Sequence, residues 1–507
     1  MPELTIDNQK VEVKQGNTIL DAARKLGIDI PTLCFNEACQ PSSSCMVCVV
    51  KVYGRLVPSC ATVVEEGMEV ESETDEIYEA RRTALELLLS DHVGDCIAPC
   101  HSICPAGMNI PLMIRQIVDG RLRDAIITVK RDIPLPAVLG RICPAPCENG
   151  CRRSSYDDPV SICLLKRYVA DMDLSSGSPY LPFCKSANGK KVAIIGAGPA
   201  GLSAAYYLLQ EGFACILFDD HEKPGGSLQY AVPEDKLPRN ILDAEIGIVE
   251  KLGAEFRMRT VIGGDISIGD LQRDYDAILI ATGNDTRLLS NIQIDRNTLQ
   301  TNIGGVFVGG NATGRKSNMT VRSVADGKIA SVSVAQYISN LPVVGIHKQF
   351  TVRMGKLAGE EIQEFMAGVS KAPRRVSSSG NAGFSEQEAH IESLRCLRCD
   401  CRKSDNCKLR NYAEAYGANP NKYKRERKLF KRYIQHPDII YEPGKCIACG
   451  LCIQIASKAR EAMGLAFIGR GFNVRVGVPF NRSIAEGLQK VAAQCADACP
   501  TGALALK

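Results

Sequence analysis

The distribution of cysteine constrains this chain more than any other feature. Of 507 residues, 23 are cysteine, and most of them fall in short-spaced groups at 34–60, 96–104, 143–163, 396–407, 446–452 and 495–499. Thiols two or three residues apart seldom bridge each other and instead converge on a metal. A disulfide framework is the competing reading, and it suits an exported chain. The N-terminus MPELTIDNQK lacks the basic and apolar regions of a signal peptide. No apolar run reaches the ~18 residues that span a bilayer. A cytoplasmic location is therefore expected.

At this length one core is not enough, and three or more domains are expected. The composition, 45% hydrophobic and 23% charged, is that of a soluble globular protein. A net charge of +4 points to neither a nucleic-acid binder nor an acidic tail. LTIDNQKVEVKQG reads as two short strands around a polar turn. NTILDAARKLGI reads as a helix capped by Asn17 or Thr18 and closed by Gly27. Residues 76–175 read as helical and 190–340 alternate strand with helix. Residues 367–388 read as a polar linker. The basic stretch 421–436, NKYKRERKLFKRYIQH, reads as a solvated helix or a docking face, with nucleic-acid binding as the competing reading.

Cys34, Cys45, Cys48 and Cys60 are spaced C-x10-C-x2-C-x11-C. Four thiolates on such a loop can wrap a [2Fe–2S] centre, and zinc is the competing metal. Cys39 lies inside the loop but outside the pattern and reads as a free thiol. With IPTLC, LVPSCAT and RRTALELLLSDH, the first 95 or so residues resemble the N-terminal ferredoxin-like domain of the large iron–sulfur subunit of respiratory complex I and of iron hydrogenases.

HVGDCIAPCHSICP places His92, Cys96, Cys100 and Cys104 at steps of four, and GRICPAPCENGC places Cys143, Cys147 and Cys151 likewise. This resembles the helical domain of the glutamate synthase small subunit and of dihydropyrimidine dehydrogenase, which holds two [4Fe–4S] clusters with interleaved ligands. The resemblance implies one cluster on Cys96, Cys100 and Cys151 and another on Cys104, Cys143 and Cys147. His92 stands where that family has its first cysteine; it is either a ligand or a bystander. Lys166 stands where the family has Gln or Glu. A protonated lysine cannot bind iron, so Cys163, one helical turn earlier, is the candidate fourth ligand, with a buried core cysteine as the alternative.

KKVAIIGAGPAGLSAAYYLLQEGFACILFDD is a strand, then Gly196-x-Gly198-x-x-Gly201 opening a helix, then a strand ending in Asp219. The glycines let backbone approach a pyrophosphate, and the acid suits a ribose hydroxyl. KPGGSLQYAVPEDKLP with Gly226, YDAILIATG with Gly283, and GGVFVGGNATG with Gly310 and Asn311 follow in the order of the FAD domain of the glutamate synthase small subunit. That resemblance implies FAD. Family members usually have Asp where Asn311 stands. They also carry a second, NADPH-binding domain after the ATG. Here only 20 residues, 284–303, separate Gly283 from Gly304, fewer than the ~30 of one βαβ unit. The expectation is a flavoprotein with no nicotinamide domain of its own.

LRCLRCDCRKSDNC offers Cys396, Cys399, Cys401 and Cys407 to a [4Fe–4S] cluster or to zinc. EPGKCIACGLCIQIA and AAQCADACPTGAL form a degraded bacterial-type ferredoxin in which one ligand set survives: Cys446, Cys449, Cys452 and Cys499. Cys495 is the only remnant of the other set. AFIGRGFNVRVGVPF again resembles the complex I and hydrogenase ferredoxin domains.

Together these readings give a multidomain α/β and α+β chain. A β-grasp [2Fe–2S] domain is expected over 1–80, a helical domain with two [4Fe–4S] clusters over 81–180 and a Rossmann-like FAD domain over 181–345. A linker over 346–390, a four-cysteine and basic region over 391–435 and a ferredoxin-like domain with one [4Fe–4S] cluster over 436–507 complete it. The expected cofactors are FAD, one [2Fe–2S] and up to four [4Fe–4S] clusters. The resemblances imply an electron-transfer subunit of a multi-subunit oxidoreductase, placed between an NADH-dehydrogenase-like flavoprotein or ferredoxin and a terminal catalytic subunit such as hydrogenase or formate dehydrogenase, with no nucleic acid and no membrane span. A self-contained flavoenzyme acting on a small molecule is the alternative.

Overall fold

The computed structural model describes every residue except 290, 291, 316–318, 378–381 and 425, and the side chain of 472. Parts of the 284–303 stretch, of the polar linker and of the basic stretch thus lie outside the described residues. The chain forms two compact units: Met1–Ala98 with Gln349–Gly368 and Cys399–Lys507, and Pro99–Lys348 with Val369–Arg398.

In the first unit, β1 (Glu3–Ile6), β2 (Gln9–Glu12), β3 (Val49–Val52), β4 (Arg55–Pro58) and β5 (Met68–Glu71) make one sheet in the order β2-β1-β5-β3-β4. Only β1 and β5 pair in parallel. Helix α1 (Ile19–Lys25) buries Ile19, Leu20, Ala22 and Ala23. Thr18, rather than Asn17, caps it through a reciprocal pair with Asp21, and Gly27 closes it at φ +77°. Helix α2 (Asp75–Ser90) follows, with Leu85 and Leu89 buried.

The second unit opens with α3 (Pro99–Ile103), α4 (Ile110–Val118), α5 (Leu122–Lys130), α6 (Pro136–Ile142), α7 (Pro146–Asn149) and α8 (Ile162–Ser175). A five-stranded parallel sheet follows, built of β6 (Lys191–Ile195), β7 (Ala214–Phe218), β8 (Glu255–Arg257), β9 (Ala277–Ile280) and β10 (Val306–Val308) in the order β10-β9-β6-β7-β8. KVAII, ACILF, AILI and VFV are nearly continuous apolar runs because both faces of the sheet are covered. Val192, Ile194 and Leu279 point into one core, Ala193, Ile195 and Ile280 into another. Helix α9 (Pro199–Gln210) packs closely on helix Thr320–Ile338. Gly327 allows this: a Cβ there would lie 2.3 Å from the Ala200 carbonyl oxygen.

Back in the first unit, β11 (Ile439–Tyr441) pairs with β14 (Leu504–Leu506), and β12 (Ala466–Ile468) with β13 (Arg475–Gly477). The stretch expected as a linker is built in. It supplies helix Glu361–Met366 to this unit and helix Glu386–Ser393 to the other. The basic stretch is not a helix among its described residues. It is a strap whose cations are spent inside the unit: Lys422 on Glu86 at 2.8 Å, Lys428 on Asp91 at 3.1 Å, Lys431 on Glu364 at 3.1 Å and Arg432 on Glu442 at 2.8 Å. Arg427 grips buried Glu361, whose carboxylate also accepts the Phe430 and Ala358 backbone N–H groups at 2.6 Å each.

These bonds, Arg427 foremost, hold the Glu361 carboxyl down at about 2 against an ordinary 4.5. Such a depressed carboxylate stabilises the fold fully above pH 4.5, and that stability is lost as pH falls toward 2. Glu361→Gln is expected to cost about 3 kcal/mol at neutral pH and to flatten the acid limb over that window. Chemical denaturation of both proteins between pH 2 and 7 checks it.

Candidate metal centres and dinucleotide cleft

In the first unit Cys34, Cys45, Cys48 and Cys60 are all buried. Their thiols are free and within hydrogen-bonding reach of one another: Cys34 with Cys45 and Cys60, and Cys48 with Cys60. Those bonds favour a thiolate at Cys34 and bring Cys48 down to about 6. Residues at positive φ, Ser43 and Met46, bend the loop that turns the sulfurs inward. Cys39 is buried but outside this network.

Cys446, Cys449, Cys452 and Cys499 line one cavity with Tyr441, Ile447, Leu451 and Val476. Ala448 and Gly450, both at positive φ, shape its loop. Burial pushes the Cys446 thiol up to about 11 and Cys449 up to about 12. Cys495 is fully buried beside it, its Sγ 3.6 Å from the Cys452 carbonyl oxygen, but it does not line the cavity.

A third donor set, His92, Cys96, Cys401 and Cys407, lines a second cavity with Leu89, Phe350, Val352 and Arg410. This differs from the grouping expected from local spacing. Cys96 does not join the Cys100 and Cys151 set, and Cys401 and Cys407 do not join Cys396. The reason is topological: the second unit is inserted in the chain between the two halves of this donor set. The Val352 N–H donates to the Cys96 Sγ at 3.4 Å. The His92 imidazole is held down to about 4, by burial first and by Lys445 second, with Glu442 opposing. It is thus neutral at physiological pH, and its Nδ1 is buried with no hydrogen-bond partner. A buried, unpaired imidazole nitrogen beside three thiols is the donor chemistry of a metal site.

The three nests touch. Ser42, in the first loop, donates to the Cys449 carbonyl oxygen at 3.0 Å. The Cys407 thiol meets the carbonyl oxygen of Pro500, the residue after Cys499, at 3.8 Å. A Cβ at Gly502 would lie 2.3 Å from the Cys401 sulfur.

In the second unit Cys104, Cys143, Cys147 and Cys163 line a cavity with Lys166. The bond from Cys163, acting against burial, brings Cys143 down to about 6, while burial pushes Cys147 up to about 12. Ala145, at φ +51°, turns the loop between Cys143 and Cys147. Cys100, Cys151 and Cys396 pack against the same core. Arg153 Nη1 donates to the Arg395 carbonyl oxygen at 2.7 Å, which brings the Cys151 and Cys396 segments side by side. Cys399 belongs to the first unit.

A cleft of about 1080 Å³ opens at the carboxyl ends of β6, β7 and β9. Gly196, Gly198, Asp219, Gly226, Gly283, Gly310 and Asn311 line it. Gly201 lies beneath, where a Cβ would sit 2.0 Å from the Gly196 carbonyl oxygen. The buried Asp219 accepts the Ala197 N–H at 2.8 Å, bracing the phosphate turn. Asn311 donates to Asn284 Oδ1 at 3.1 Å, joining the two ends of the shortened stretch. His221, which sequence reasoning passed over, bonds Asp219 at 2.8 Å and stacks on Tyr230 at 4.5 Å. Between β9 and β10 the described residues hold one 3-10 turn, Arg287–Leu289, and two isolated bridges. Among the described residues there is no second parallel sheet. No described helix is long and apolar enough to cross a membrane.

Three family profiles match. A 2Fe–2S iron–sulfur cluster binding domain covers residues 2–75, dihydropyrimidine dehydrogenase domain II with its 4Fe–4S cluster covers 66–178, and an NAD(P)-binding Rossmann-like domain covers 194–249. The NADP(+)-dependent formate dehydrogenase subunit beta of Moorella thermoacetica is 41% identical over 37% of this chain and 29% of its own length. The NADPH-Fe(3+) oxidoreductase subunit beta of Geobacter sulfurreducens is 40% identical over 37% of this chain and 28% of its own. The glutamate synthase [NADPH] small chain of Mycobacterium tuberculosis is 37% identical over 37% and 39%. The chain spans less than half the length of these curated relatives. The resemblance to the glutamate synthase small subunit is thus met, as are the 2Fe–2S, helical 4Fe–4S and Rossmann-like components of the fold.

Gly201→Ala is expected to lose most of the bound dinucleotide, because its Cβ has no room against Gly196. Absorbance of the cofactor released on denaturation reads this out; wild-type occupancy in the variant contradicts it.

Proposed function

We propose that this chain is an electron-transfer subunit of a multi-subunit oxidoreductase. The proposal rests foremost on three donor nests in mutual contact within one unit, alongside a dinucleotide cleft that no second parallel sheet accompanies among the described residues. Ligand chemistry supports iron–sulfur clusters: a neutral, unpaired His92 nitrogen and sixteen donors in four converging sets, three of them lining apolar cavities, fit soft metals. Cys34, Cys45, Cys48 and Cys60 would hold a [2Fe–2S] cluster. Four-iron clusters would sit on Cys446, Cys449, Cys452 and Cys499, on His92, Cys96, Cys401 and Cys407, and on Cys104, Cys143, Cys147 and Cys163. Cys100, Cys151 and Cys396 offer three thiols to a further one. The cleft, with Gly196, Gly198, Asp219 and Asn311, would take FAD.

When bound, clusters carry single electrons and the flavin joins one- and two-electron steps. The chain's own residues place and insulate the carriers. Leu89, Phe350, Ile447, Val476 and their neighbours exclude water, and the Val352 N–H bonds a ligand sulfur. Electrons would pass between an NADH- or ferredoxin-linked partner and a terminal catalytic subunit such as hydrogenase or formate dehydrogenase. The names of the relatives, subunits of formate dehydrogenase and of an iron reductase, support this reading.

Reductive titration of the anaerobic, loaded chain tests it. Uptake well above the flavin's two electrons, up to about seven, is expected; uptake of only about two reduces the protein to a simple flavoenzyme. The ligand sets have their own test. Cys401→Ser and Cys396→Ser each remove about four irons, and the double variant about eight. If the double variant loses no more than either single one, both cysteines serve one cluster and the sets are wrong.

A further inference from the structure

Lys166 lies on α8, one turn beyond Cys163, and is only 4% exposed. Its side chain lines the cavity formed by Cys104, Cys143, Cys147 and Cys163. An ammonium in an apolar interior is costly unless an opposite charge meets it. Among the described residues no carboxylate pairs with it. Glu148, an acid close to Cys143 and Cys147, is engaged elsewhere: it accepts the Cys163 N–H at 2.9 Å and pairs with Arg374. Cys104, Cys143, Cys147 and Cys163 share its cavity, and thiolates bound to a cluster would supply the opposite charge that the buried ammonium needs.

Lys445 makes the contrast. It is also buried and also faces a thiol, Cys401, but its charge is shared with Glu442, which in turn bonds Arg432. Among the described residues Lys166 has no such acid and faces the sulfur nest.

We infer that Lys166 is a positioning charge for this centre: it sets the reduction potential of the cluster held by Cys104, Cys143, Cys147 and Cys163, keeping that cluster easier to reduce than it would be without the cation. The inference rests on the ligand reading above. Four thiolates make the site anionic, and reduction adds one electron and one more negative charge. A fixed cation facing the sulfurs stabilises the reduced state more than the oxidised one, since net charge and bonds to sulfur set cluster potentials.

Potentiometric titration of the loaded full-length chain, followed by electron paramagnetic resonance, tests it. Lys166→Met keeps the stem and removes the charge. In that variant one cluster signal is expected to need at least a tenfold higher reduced-to-oxidised drive, a fall of about 59 mV for a one-electron step, while the other signals stay in place. Lys166→Arg keeps the charge and is expected to titrate like wild type, which leaves the inference testable if the Met variant loses its cluster. An unmoved potential in Lys166→Met with full iron content, or a fall in Lys166→Arg as large as that of Met, overturns the inference and leaves the ligand set standing. Unchanged iron and unchanged signals in Cys163→Ala overturn the ligand set and the inference together.

Discussion

Thiols buried among aliphatic side chains keep their protons unless a metal takes the place of those protons, and this structure gathers cysteine sulfur in four such places. At Cys446, Cys449 and Cys147 burial pushes the thiols up to between about 11 and 12, so without a metal they would stay protonated and inert. A soft metal removes those protons and links the donors, and its binding energy then becomes folding energy. Around the three nests of the first unit, the core residues Leu89, Val352, Leu451 and Val476 are also the walls of the cavities. In the proposed account, stability and conduction therefore depend on the same contacts. Ser42 on the Cys449 carbonyl oxygen and Cys407 on that of Pro500 join neighbouring nests through direct contacts.

What could be read from the sequence was whatever depended on local spacing. The capping of α1 and the Gly196–Gly201 turn involve residues whose neighbours in the chain are their neighbours in space, while Asp219 at the end of β7 and Cys499 beside Cys446, Cys449 and Cys452 are distant in the chain and were legible because their spacing follows known motifs. Cys163 beside Cys143 was legible for the same reason: a helical turn is a fixed ruler. The donor set of His92, Cys96, Cys401 and Cys407 was not. An H-x3-C step and a C-x5-C step stand some three hundred residues apart, and the inserted unit hides that they belong together. Each half instead found a plausible local partner, Cys100 for one and Cys396 for the other. The basic stretch misled differently, since its charge pattern says nothing about carboxylates such as Glu86 and Glu361 that approach it from distant segments.

The shortened stretch between β9 and β10 gives the dinucleotide cleft its character. Strands β9 and β10 pair in parallel, which requires a crossover connection rather than a tight turn, and the bond from Asn311 to Asn284 ties the ends of that connection together at the cleft. The cleft keeps the turn, the acid and the glycines that accept one dinucleotide. Nothing beside it among the described residues repeats them. In the proposed account this asymmetry defines the chain's role: electrons reach it from another protein and leave it for another, and a soluble pyridine nucleotide does not deliver them directly.

That claim is tested most directly by mixing the isolated, flavin- and iron-loaded chain with NADH or NADPH under anaerobic conditions and following binding by calorimetry and reduction by absorbance. The account predicts neither stoichiometric binding nor bleaching of flavin or clusters, while dithionite bleaches both. One nucleotide bound per chain, with rapid bleaching by NADH or NADPH alone, would contradict it.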